Sequence, residues 1–592
     1  MSTILFRYLL YFLLIFSVSC ANRGLGPQGG LKDKLPPLFI ESSPSNGAIN
    51  IKTLELVLEL NEFIALQKPQ EKIIISPPQL LPPTIRTASK KILVTLNDSL
   101  RPNTTYSIDF TDAIVDITEQ NALSGFTYSF STGPQIDSLQ ISGFVLDAAN
   151  LNPLPNLLIG IYDNLSDTAF TKTPPLRIGR TNETGRFSIK SVKEGKYFVF
   201  ALNDLNRDYY YNDPNEQLAF LDSLIVPSVI TKEATDTVAT DSTTIKKSKQ
   251  VFLPDSLILL AFKEKISRQF FIKAERKLPY KLSFIFKAGN KKLPEIEALN
   301  FTKNSLDIIQ SSALGDTISY WVSDSLTWKK DTLQLAISYQ KTDSAGNPAL
   351  QKDTLLLTYK NAKPTKKEKQ TNFLLPIRTN LKGLIDLNSP VIFNFDLPIL
   401  SVDETKIHLT YKKDTIWEEI PINVEKMDSL GFIYGFNYAW DAEKAYRLSI
   451  DSAAFTSKYL TTSSKVITPF AVKSLDQYAT VIVNISPFNP IAIVELLNNK
   501  DQVIRQLPAE ETGTVFEFIP PGLHYIRLFI DENNNGQWDS GVYAEKRQAE
   551  KVFYYEQGLN LRANWDIEQA WNYLKTPLLN QKPKELLNIG KK

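Results

Sequence analysis

From Pro36 onward, the chain consists of short runs of alternating apolar and polar residues, separated by turns rich in Pro, Asn, Asp and Gly. Typical runs are residues 54–60 (LELVLEL), 91–96 (KILVTL) and 105–110 (TYSIDF), and each alternates as a strand with one buried face should. Signals for helices are few. In a chain of 592 residues, long enough for about four domains of ~150 residues each, this pattern predicts a mostly β fold of tandem β-sandwiches.

The scarcity of reactive side chains limits what such sandwiches can catalyse. The whole chain has one Cys, two His and two Met, which leaves no ligand set for a Cys/His zinc site and no pair for an internal disulfide. His408 and His524 both lie in strand-like runs, where we expect them to be half exposed rather than to act as catalytic bases. No G-x-S-x-G, H-E-x-x-H or P-loop pattern occurs. The sequence therefore predicts a protein that is not an enzyme, although a glycosidase pair of carboxylates stays open because Asp and Glu are plentiful.

Charge argues against nucleic acid as a partner. Lys and Arg number 66 against 64 Asp and Glu, so the formal net charge is only +2. Proteins that bind nucleic acid mainly through phosphate contacts carry a clear basic excess. We expect no nucleic-acid partner.

The first 20 residues have the organisation of a secretory signal. Arg7 precedes an apolar run from Tyr8 to Phe16, then come Ser17-Val18-Ser19 and the only cysteine, Cys20. The run is shorter than the roughly 20 apolar residues that a spanning helix needs. A cysteine after small residues at the end of such a signal resembles a bacterial lipobox. That resemblance implies cleavage before Cys20 and acylation of its thiol and its amino group. The alternative is an ordinary signal peptide with an incidental cysteine.

The segment after Cys20 predicts a tether. Residues 21–35 are rich in Gly and lack a hydrophobic period, so we expect a flexible link between the lipid and the first domain. A lipid anchor of several acyl chains would hold the protein on a bilayer. The prediction is an exported outer-membrane lipoprotein of a Gram-negative envelope, on either its periplasmic or its surface face.

Residues 36–134 carry motifs of a known domain: Pro36-Pro37 and SPSNG at 43–47, LRPNTTY at 100–106 and FSTG at 130–133. These motifs, in this order, resemble the bacterial Ig-like domain of the S-layer-protein type, which is known from envelope lipoproteins. Residues 371–472 contain similar runs, VIFNFD at 391–396 and YRLSID at 446–451, and are predicted to be a diverged Ig-like copy.

A second domain type is indicated in residues 137–228 by ISGFVLD at 141–147, PLPN at 153–156, TNETGRF at 181–187 and EGKY at 194–197. These motifs resemble the prealbumin-like, or carboxypeptidase-regulatory-like, β-sandwich. Despite its name that domain is not a peptidase, and the resemblance implies a spacer or binding module. Residues 475–560 repeat the pattern, so the simplest description is an alternation of two sandwich types.

The remaining segments are assigned by composition and rhythm. Residues 229–250, rich in Thr, Ser, Lys and Asp, are predicted to be a flexible linker, and residues 361–370 (NAKPTKKEKQ) a second break. Residues 251–360 keep the strand rhythm and are expected to form a further β-sandwich. In residues 561–592, Ile567, Trp571 and Leu574 would share one helical face after an Asn564 cap, which predicts a short C-terminal helix followed by a frayed polar tail from Lys582.

One loop has the spacing of a calcium site. In residues 531–539 (DENNNGQWD), oxygen donors stand at positions 1, 3, 5 and 9 and Gly stands at position 6, as in EF-hand-like loops. The predicted ligands are Asp531, Asn533, Asn535 and Asp539. Val542 stands where a bidentate Glu is expected at position 12. The alternative is an Asx-rich turn in which these side chains bond only to their own backbone.

A second loop is a poorer match because it lacks the Gly. Its candidate ligands are Asp204, Asn206, Asp208, Asp213 and Glu216. Structural Ca²⁺ is the only cofactor that the sequence suggests. Beside this loop, the run Tyr209-Tyr210-Tyr211 is either a binding face or part of a packed core.

These observations favour a non-catalytic, lipid-anchored envelope protein that acts as a stalk and docking module. It would be an accessory subunit of an outer-membrane assembly, secretion or uptake complex, with the membrane and other envelope proteins as its partners. The competing hypothesis is a surface glycan-binding protein or hydrolase with Ig-like spacers. Such an enzyme would normally need one larger domain that is not a sandwich, and no stretch of the chain has that character.

Overall fold

The computed structural model describes residues 33–587, apart from residues 214, 238–243, 266–268, 291, 304–305, 313–314, 344–347, 360–373 and 443. The predicted signal peptide, Cys20, most of the predicted tether and the predicted break at 361–370 lie outside the described residues. The chain forms two compact units. The first comprises residues up to Val145, Leu154–Asn212 and Leu218–Leu259; the second comprises Leu146–Pro153, Asp213–Gln217 and residues from Leu260 onward.

The fold is mostly β, as predicted, and the strands of the described residues form five successive sheet assemblies that we call sandwiches I to V. Sandwich I has a four-stranded sheet in the order β1-β2-β6-β5, a three-stranded sheet β10-β7-β4 and a small sheet β3-β8-β9. A four-residue helix, α1 (Pro69–Lys72), follows the third strand. The strands are β1 (Phe39–Ser43), β2 (Glu55–Leu60), β3 (Ile64–Leu66), β4 (Ile74–Ser76), β5 (Thr84–Ala88), β6 (Lys91–Thr95), β7 (Thr105–Asp109), β8 (Ile114–Asp116), β9 (Ala122–Leu123) and β10 (Thr127–Ser131).

Sandwich II contains a seven-stranded sheet, β13-β12-β15-β16-β19-β11-β14, and most of its residues belong to the first unit. Gly143 on β11 allows close pairing, since a Cβ there would lie 2.4 Å from the carbonyl oxygen of Leu257 on β19. The helix α2 (Ala169–Lys172) follows β12. The strands are β11 (Leu139–Asp147), β12 (Leu158–Tyr162), β13 (Arg177–Arg180), β14 (Arg186–Val192), β15 (Phe198–Leu202), β16 (Gln217–Phe220), β17 (Ser228–Thr237), β18 (Thr244–Leu253) and β19 (Leu257–Lys263).

Sandwich III packs the sheet β20-β21-β24-β23 with the sheet β22-β25-β26 around a core that includes Phe284, Leu335 and Ile337. The helix α3 (Ser325–Trp328) is capped by Asp324, which accepts from two backbone amides. The strands are β20 (Phe271–Leu278), β21 (Lys281–Phe286), β22 (Glu295–Ala298), β23 (Leu306–Ser311), β24 (Thr317–Val322), β25 (Thr332–Thr342) and β26 (Pro348–Thr358).

Sandwich IV has sheets β27-β29-β34-β33, β28-β37-β35-β31-β32 and β30-β36. A short 3₁₀ turn, Glu404–Lys406, precedes β31. The strands are β27 (Arg378–Thr379), β28 (Leu384–Ile385), β29 (Val391–Asn394), β30 (Ile399–Val402), β31 (Ile407–Lys413), β32 (Ile416–Ile420), β33 (Glu425–Lys426), β34 (Ile433–Phe436), β35 (Ala445–Ile450), β36 (Phe455–Ser457) and β37 (Val466–Val472).

Sandwich V has sheets β41-β38-β45 and β40-β39-β42-β43, with β44 also paired to β42. Its 3₁₀ turns are Leu475–Gln477, Tyr543–Glu545, Leu578–Asn580 and Lys584–Leu586. The strands are β38 (Ala479–Ser486), β39 (Ala492–Leu497), β40 (Val503–Pro508), β41 (Thr514–Ile519), β42 (Gly522–Ile530), β43 (Val552–Tyr554), β44 (Leu559–Leu561) and β45 (Asp566–Asn572).

Sandwiches I and IV share one topology. The pairs β1–β2, β2–β6, β5–β6, β3–β8, β4–β7 and β7–β10 recur, in the same chain order, as β27–β29, β29–β34, β33–β34, β30–β36, β31–β35 and β35–β37. Both sandwiches also contain a tyrosine whose hydroxyl accepts a hydrogen bond from the amide of the residue five positions before it. The Tyr106 hydroxyl accepts from the Arg101 amide at 2.8 Å, and the Tyr446 hydroxyl accepts from the Asp441 amide at 2.9 Å.

Sandwiches II and V share the other topology. The pairs β11–β14, β12–β13, β12–β15 and β15–β16 recur as β38–β41, β39–β40, β39–β42 and β42–β43. The loop that follows β15 therefore corresponds to the loop that follows β42, and these are the two loops predicted to bind calcium.

The predicted flexible linker at 229–250 is wrong for most of its length, because β17 and β18 form an antiparallel hairpin there. Val229, Ile230 and several threonines are β-branched and favour extended backbone, which the polar composition of the segment concealed. The sandwich predicted for 251–360 also begins later. Residues 257–263 form β19 in the sheet of sandwich II, and the strands of sandwich III start at Phe271.

The predicted C-terminal helix is wrong. Residues Asp566–Asn572 form β45, which pairs in parallel with β38, and Asn564 has a φ of 60° in a turn instead of capping a helix. Extended backbone places Trp571 and Tyr573 on the same side, and both are buried in the core of sandwich V. A helix would turn these two rings about 200° apart. The predicted fraying from Lys582 is also wrong as far as Leu586, because both of these side chains are buried.

Candidate metal loops, histidines and sandwich junctions

The loop at 531–539 closes on a buried aspartate at the end of β42. Asp531 Oδ1 accepts from the Asn535 amide at 3.1 Å, and Oδ2 accepts from the Gly536 amide at 2.7 Å. Gly536 has a φ of 73°, a backbone conformation that glycine adopts without steric cost. The side-chain amides of Asn533 and Asn535 each donate to Asp539 Oδ2 at 2.6 Å. The four predicted ligands are thus gathered in one loop.

Glu550 adds a fifth oxygen-bearing side chain to the four predicted in this loop, and the sequence pattern did not reveal it. Its Oε1 accepts from the Glu532 amide and its Oε2 accepts from the Asp539 amide, both at 2.9 Å. Burial, together with the nearby charges of Asp531 and Asp539, raises the pKa of the Glu550 carboxyl above its ordinary value. Counting twelve positions along one loop could not find it, since Glu550 enters from the approach to the next strand, β43.

The loop after β15 has a similar geometry. Asp204 Oδ1 accepts from the Arg207 amide at 2.7 Å, Oδ2 accepts from the Tyr209 amide at 3.1 Å, and the side-chain amide of Asn206 donates to Asp208 at 2.8 Å. Position 9, held by Asp539 in the other loop, is held here by Asn212. This substitution removes a carboxylate.

The two outer residues predicted for the second loop have different places. Asp213 Oδ1 accepts from the Asn215 amide at 2.8 Å and so closes its own turn. Glu216 is fully buried. The register places Leu218 opposite Leu202 and Val552 opposite Phe529, so Glu216 occupies the position in sandwich II that Glu550 occupies in sandwich V.

Among residues 33–587 outside the gaps, no three His, Cys, Asp or Glu side chains converge on a point where a metal ion could be held. In both loops the carboxylates accept instead from backbone amides and asparagine side chains. This arrangement fits the Asx-turn alternative, and calcium binding stays a prediction.

The two histidines lie on strands and have structural partners. His408 Nδ1 lies 2.7 Å from Glu419, and its Nε2 lies 4.0 Å from Asp451, on the surface of sandwich IV. His524 is buried rather than half exposed, and its Nδ1 faces the Gly522 carbonyl oxygen. Burial lowers the pKa of His524 below its ordinary value.

The run Tyr209-Tyr210-Tyr211 lies partly in a core, with Tyr209 and Tyr210 half-buried. In the run that the sequence left open, Tyr211 is buried and stacks on Phe170 with ring centroids 5.7 Å apart. A cavity of about 690 Å³ in the second unit has no aromatic residue among the described side chains that line it, and its lining includes the ion pairs of Lys265 with Asp539 and of Arg547 with Glu545. Sugar-binding sites commonly offer an aromatic face. This cavity does not offer one.

Within the first unit, Arg177 joins sandwich I to sandwich II. It lies on β13, is 3% exposed, and donates to the Thr105 carbonyl oxygen at 2.6 Å and to Ser107 Oγ at 3.0 Å, both on β7. Lys190 on β14 forms an ion pair with Asp109 at 3.1 Å. A buried guanidinium that spans two sandwiches fixes the orientation of one sandwich on the other.

Within the second unit, sandwiches III and IV meet through an apolar cluster. Trp321 of sandwich III is 1% exposed and lies 5.2 Å from Phe432, while Tyr280 stacks on Tyr459 at 3.8 Å. Sandwiches IV and V are joined by Asp386, which accepts from Tyr478 and Lys473 at 2.8 Å each. These junctions are packed contacts rather than bare linkers.

Comparison with known proteins supports the Ig-like assignment of sandwich I. Residues 33–132 match the family model described as a bacterial Ig-like domain, which covers less than a fifth of the chain. No curated protein matches the sequence. No helix among the described residues is long and apolar enough to cross a membrane.

Several solved structures resemble the chain weakly. An S-layer protein, SbsC, is 13% identical, with 89% of this chain and 67% of that chain covered and a TM-score of 0.14. BcpA, the major pilin subunit of Bacillus cereus, is 9% identical, with 73% and 98% covered and a TM-score of 0.12. An L,D-transpeptidase from Mycobacterium smegmatis is 12% identical, with 36% and 73% covered and a TM-score of 0.12. Similarity at this level does not bear on what the chain does.

Proposed function

We propose that the protein is a non-catalytic lipoprotein of the outer membrane of a Gram-negative envelope. Its sandwiches form a stalk and docking surface for an assembly, secretion or uptake complex. The observation that carries this proposal is the packed junction between successive sandwiches, at Arg177 in the first unit and at Trp321 and Phe432 in the second. A stalk has to hold its docking surface at a defined distance and direction from the membrane. Buried junctions help because they keep neighbouring sandwiches in a fixed orientation.

The anchor is supported by the sequence around Cys20. A signal-like segment ends at the only cysteine of the chain, and residues between Cys20 and the first strand are rich in Gly. The proposed absence of catalysis rests on the sequence, which has one cysteine, two histidines and no G-x-S-x-G, H-E-x-x-H or P-loop pattern. The match of residues 33–132 to a bacterial Ig-like domain supports a place in the envelope.

Affinity purification tests the docking function. The tagged full-length protein, solubilised from membranes in mild detergent after cross-linking, should retain one or more envelope proteins at a stoichiometric ratio. Retention on a glycan column, without a protein partner, would support the glycan-binding alternative and contradict the proposal. A variant with Phe432→Asp should keep its own membrane anchor but lose partners that need the fixed junction between sandwiches III and IV.

A further inference from the structure

One end of sandwich I exposes a group of large apolar side chains. Leu35, Leu38, Phe63 and Ile117 are 54–72% exposed. Phe63 and Ile117 lie opposite each other, because the Ile117 amide donates to the Phe63 carbonyl oxygen at 3.3 Å. Leu38 lies two residues away along this edge, since its amide and carbonyl bond with Asn61. We call these four side chains the apolar end. Contiguous exposed apolar surface on a folded domain marks a contact site.

The register shows which end of the sandwich this is. Phe39 pairs with Leu60, and Glu59 pairs with Lys91, so the start of β1 and the end of β2 lie at the apolar end. Asn121 donates to the carbonyl oxygen of Asp33, which fixes the first described residue there as well. The chain between Asp33 and Cys20 therefore leaves the sandwich at the apolar end.

Covalent geometry limits how far Cys20 can lie from this end. Thirteen peptide units join Cys20 to Asp33, and even fully extended they span no more than about 45 Å. If Cys20 is acylated, the apolar end is the part of sandwich I that is tied closest to the bilayer. Leucine, isoleucine and phenylalanine side chains at the surface of a membrane-bound protein bury their area in the interfacial region.

The charged side chains around the apolar end indicate whether it would contact an anionic or a zwitterionic bilayer. Lys90 lies 5.8 Å above the Phe63 ring and donates to the Asn61 carbonyl oxygen at 2.7 Å. The basic side chains here are Lys90 and Lys34. The acidic side chains outnumber them: Asp33, Glu62, Asp116 and Glu119. Asp116 is buried, whereas Asp33, Glu62 and Glu119 reach the surface. These three carboxylates form an acidic rim that would be repelled by a strongly anionic surface and tolerated by zwitterionic headgroups.

We propose that the apolar end of sandwich I rests on the lipid bilayer, with Phe63 and Ile117 inserted among zwitterionic headgroups. This inference rests on the proposed acylation of Cys20. The contact would hold the first sandwich at the membrane surface instead of leaving it free on its tether. The competing hypothesis is that a protein partner or a second copy of the chain covers the apolar end. The experiment below distinguishes contact with lipid from contact with protein.

A spin label can measure this contact in the intact lipoprotein. Because Cys20 is the only cysteine, Phe63→Cys or Ile117→Cys introduces the only free thiol once Cys20 is acylated. Leu81→Cys is the matched control: Leu81 is 56% exposed and follows β4, near Asp98 at the opposite end of the same sandwich. Each full-length variant is labelled with a nitroxide and reconstituted in phosphatidylethanolamine and phosphatidylcholine vesicles.

Labels at 63 and 117 should be readily accessible to oxygen and several-fold less accessible to a polar nickel chelate than the label at 81. The difference should shrink when anionic phosphatidylglycerol is added. Equal nickel accessibility at the three positions would overturn the proposal, and so would protection at 63 from both oxygen and nickel, which indicates a protein contact. A wild-type chain that takes up label at Cys20, or that fails to enter vesicles, would instead show that the anchor itself is wrong.

Discussion

Arg177 is the most deeply buried charged side chain at the contact between sandwiches I and II. Its donors at 2.6 and 3.0 Å reach across to β7, and a third bond at 3.1 Å goes to the Lys190 carbonyl oxygen of its own sandwich. Burial lowers the pKa of the guanidinium, because a charge in a low-dielectric environment costs free energy. The carbonyl and hydroxyl groups that accept from Arg177 offset that cost.

Replacing Arg177 by alanine should therefore loosen the junction. We expect Arg177→Ala to lower the free energy of opening by about 2–4 kcal/mol, because buried acceptors lose their donor and a cavity is left. Hydrogen exchange measured by mass spectrometry on peptides covering 105–110 and 177–190 reports this opening locally. Arg86→Ala, on an exposed arginine of β5, is the control. Unchanged protection at both junction peptides would contradict the assigned role.

The loop at 531–539 has two interpretations that differ in one measurable respect. Both predict that Asp531 stabilises the loop, because it accepts from two backbone amides. Only the calcium hypothesis predicts that added metal stabilises the protein.

If the loop binds Ca²⁺ with a Kd in the range of about 10⁻⁴–10⁻³ M, 10 mM Ca²⁺ should stabilise the full-length protein by about 1.4–2.7 kcal/mol, and Mg²⁺ should do so less. Calorimetric titration and thermal unfolding measure this. Asp539→Asn and Glu550→Gln should abolish the effect, whereas Glu545→Gln, on an exposed side chain of the same segment, should keep it. Absence of both heat and thermal shift would leave the Asx-rich turn as the explanation.

Among the elements, the tail after the last strand is held by a buried polar network. The Lys582 side chain is 2% exposed; its ammonium lies 2.6 Å from Asp501 and donates to the Asn150 carbonyl oxygen at 2.7 Å. Tyr554 donates to Asp501 at 2.9 Å, and Arg527 pairs with Glu495 beside it. The tail is thus tied to the second unit by ion pairs as well as by apolar burial.

Breaking this network on one side should be costly. Lys582→Met would leave the Asp501 carboxylate largely buried without its counter-ion, and we expect a loss of about 3–5 kcal/mol. Lys584→Met, two residues further along and exposed, is the matched control. Hydrogen exchange over 552–586 should rise in the first variant and stay unchanged in the second. If Asp501→Asn combined with Lys582→Met costs as much as the two single changes together, the pair is not coupled.

The same elements show what the sequence can and cannot predict. The alternating run at 54–60 forms the expected half-buried strand, since period-two patterns depend only on local geometry. The run at 105–110 also forms a strand, but both of its faces are buried, because Thr105 and Ser107 contact Arg177 of sandwich II. The pattern at 564–574 failed because Ile567 and Trp571 satisfy a helical and an extended period equally. Pairing with β38, which is about 85 residues away along the chain, decided between them. Local patterns do not contain such long-range pairing.

For the candidate site, too, the residues that are close in sequence could be predicted, and those brought in by long-range pairing could not. Asp531, Asn533, Asn535 and Asp539 are close in sequence and were found together, whereas Glu550 joins them only because β43 pairs with β42. Arg177 carried no signal, because its partners lie about 70 residues upstream. Residues that act through long-range contacts are the ones that a single sequence does not reveal.

For the whole molecule, the proposed acylation of Cys20 is the decisive feature. Both the proposed envelope location and the proposed contact of the apolar end with lipid depend on it. The molecule has only one cysteine, so the chemistry of that residue can be read without interference.

The mass of the mature N-terminal peptide tests this claim most directly. The protein is purified from membranes of the native host or a Gram-negative expression host, digested, and its first peptide analysed by mass spectrometry. The account predicts that the chain begins at Cys20 and carries a diacylglyceryl group on sulfur and an acyl chain on its amino group, and that a Cys20→Ala variant leaves the membrane fraction. A chain that begins elsewhere, or an unmodified cysteine in a protein that washes off the membrane, would contradict it.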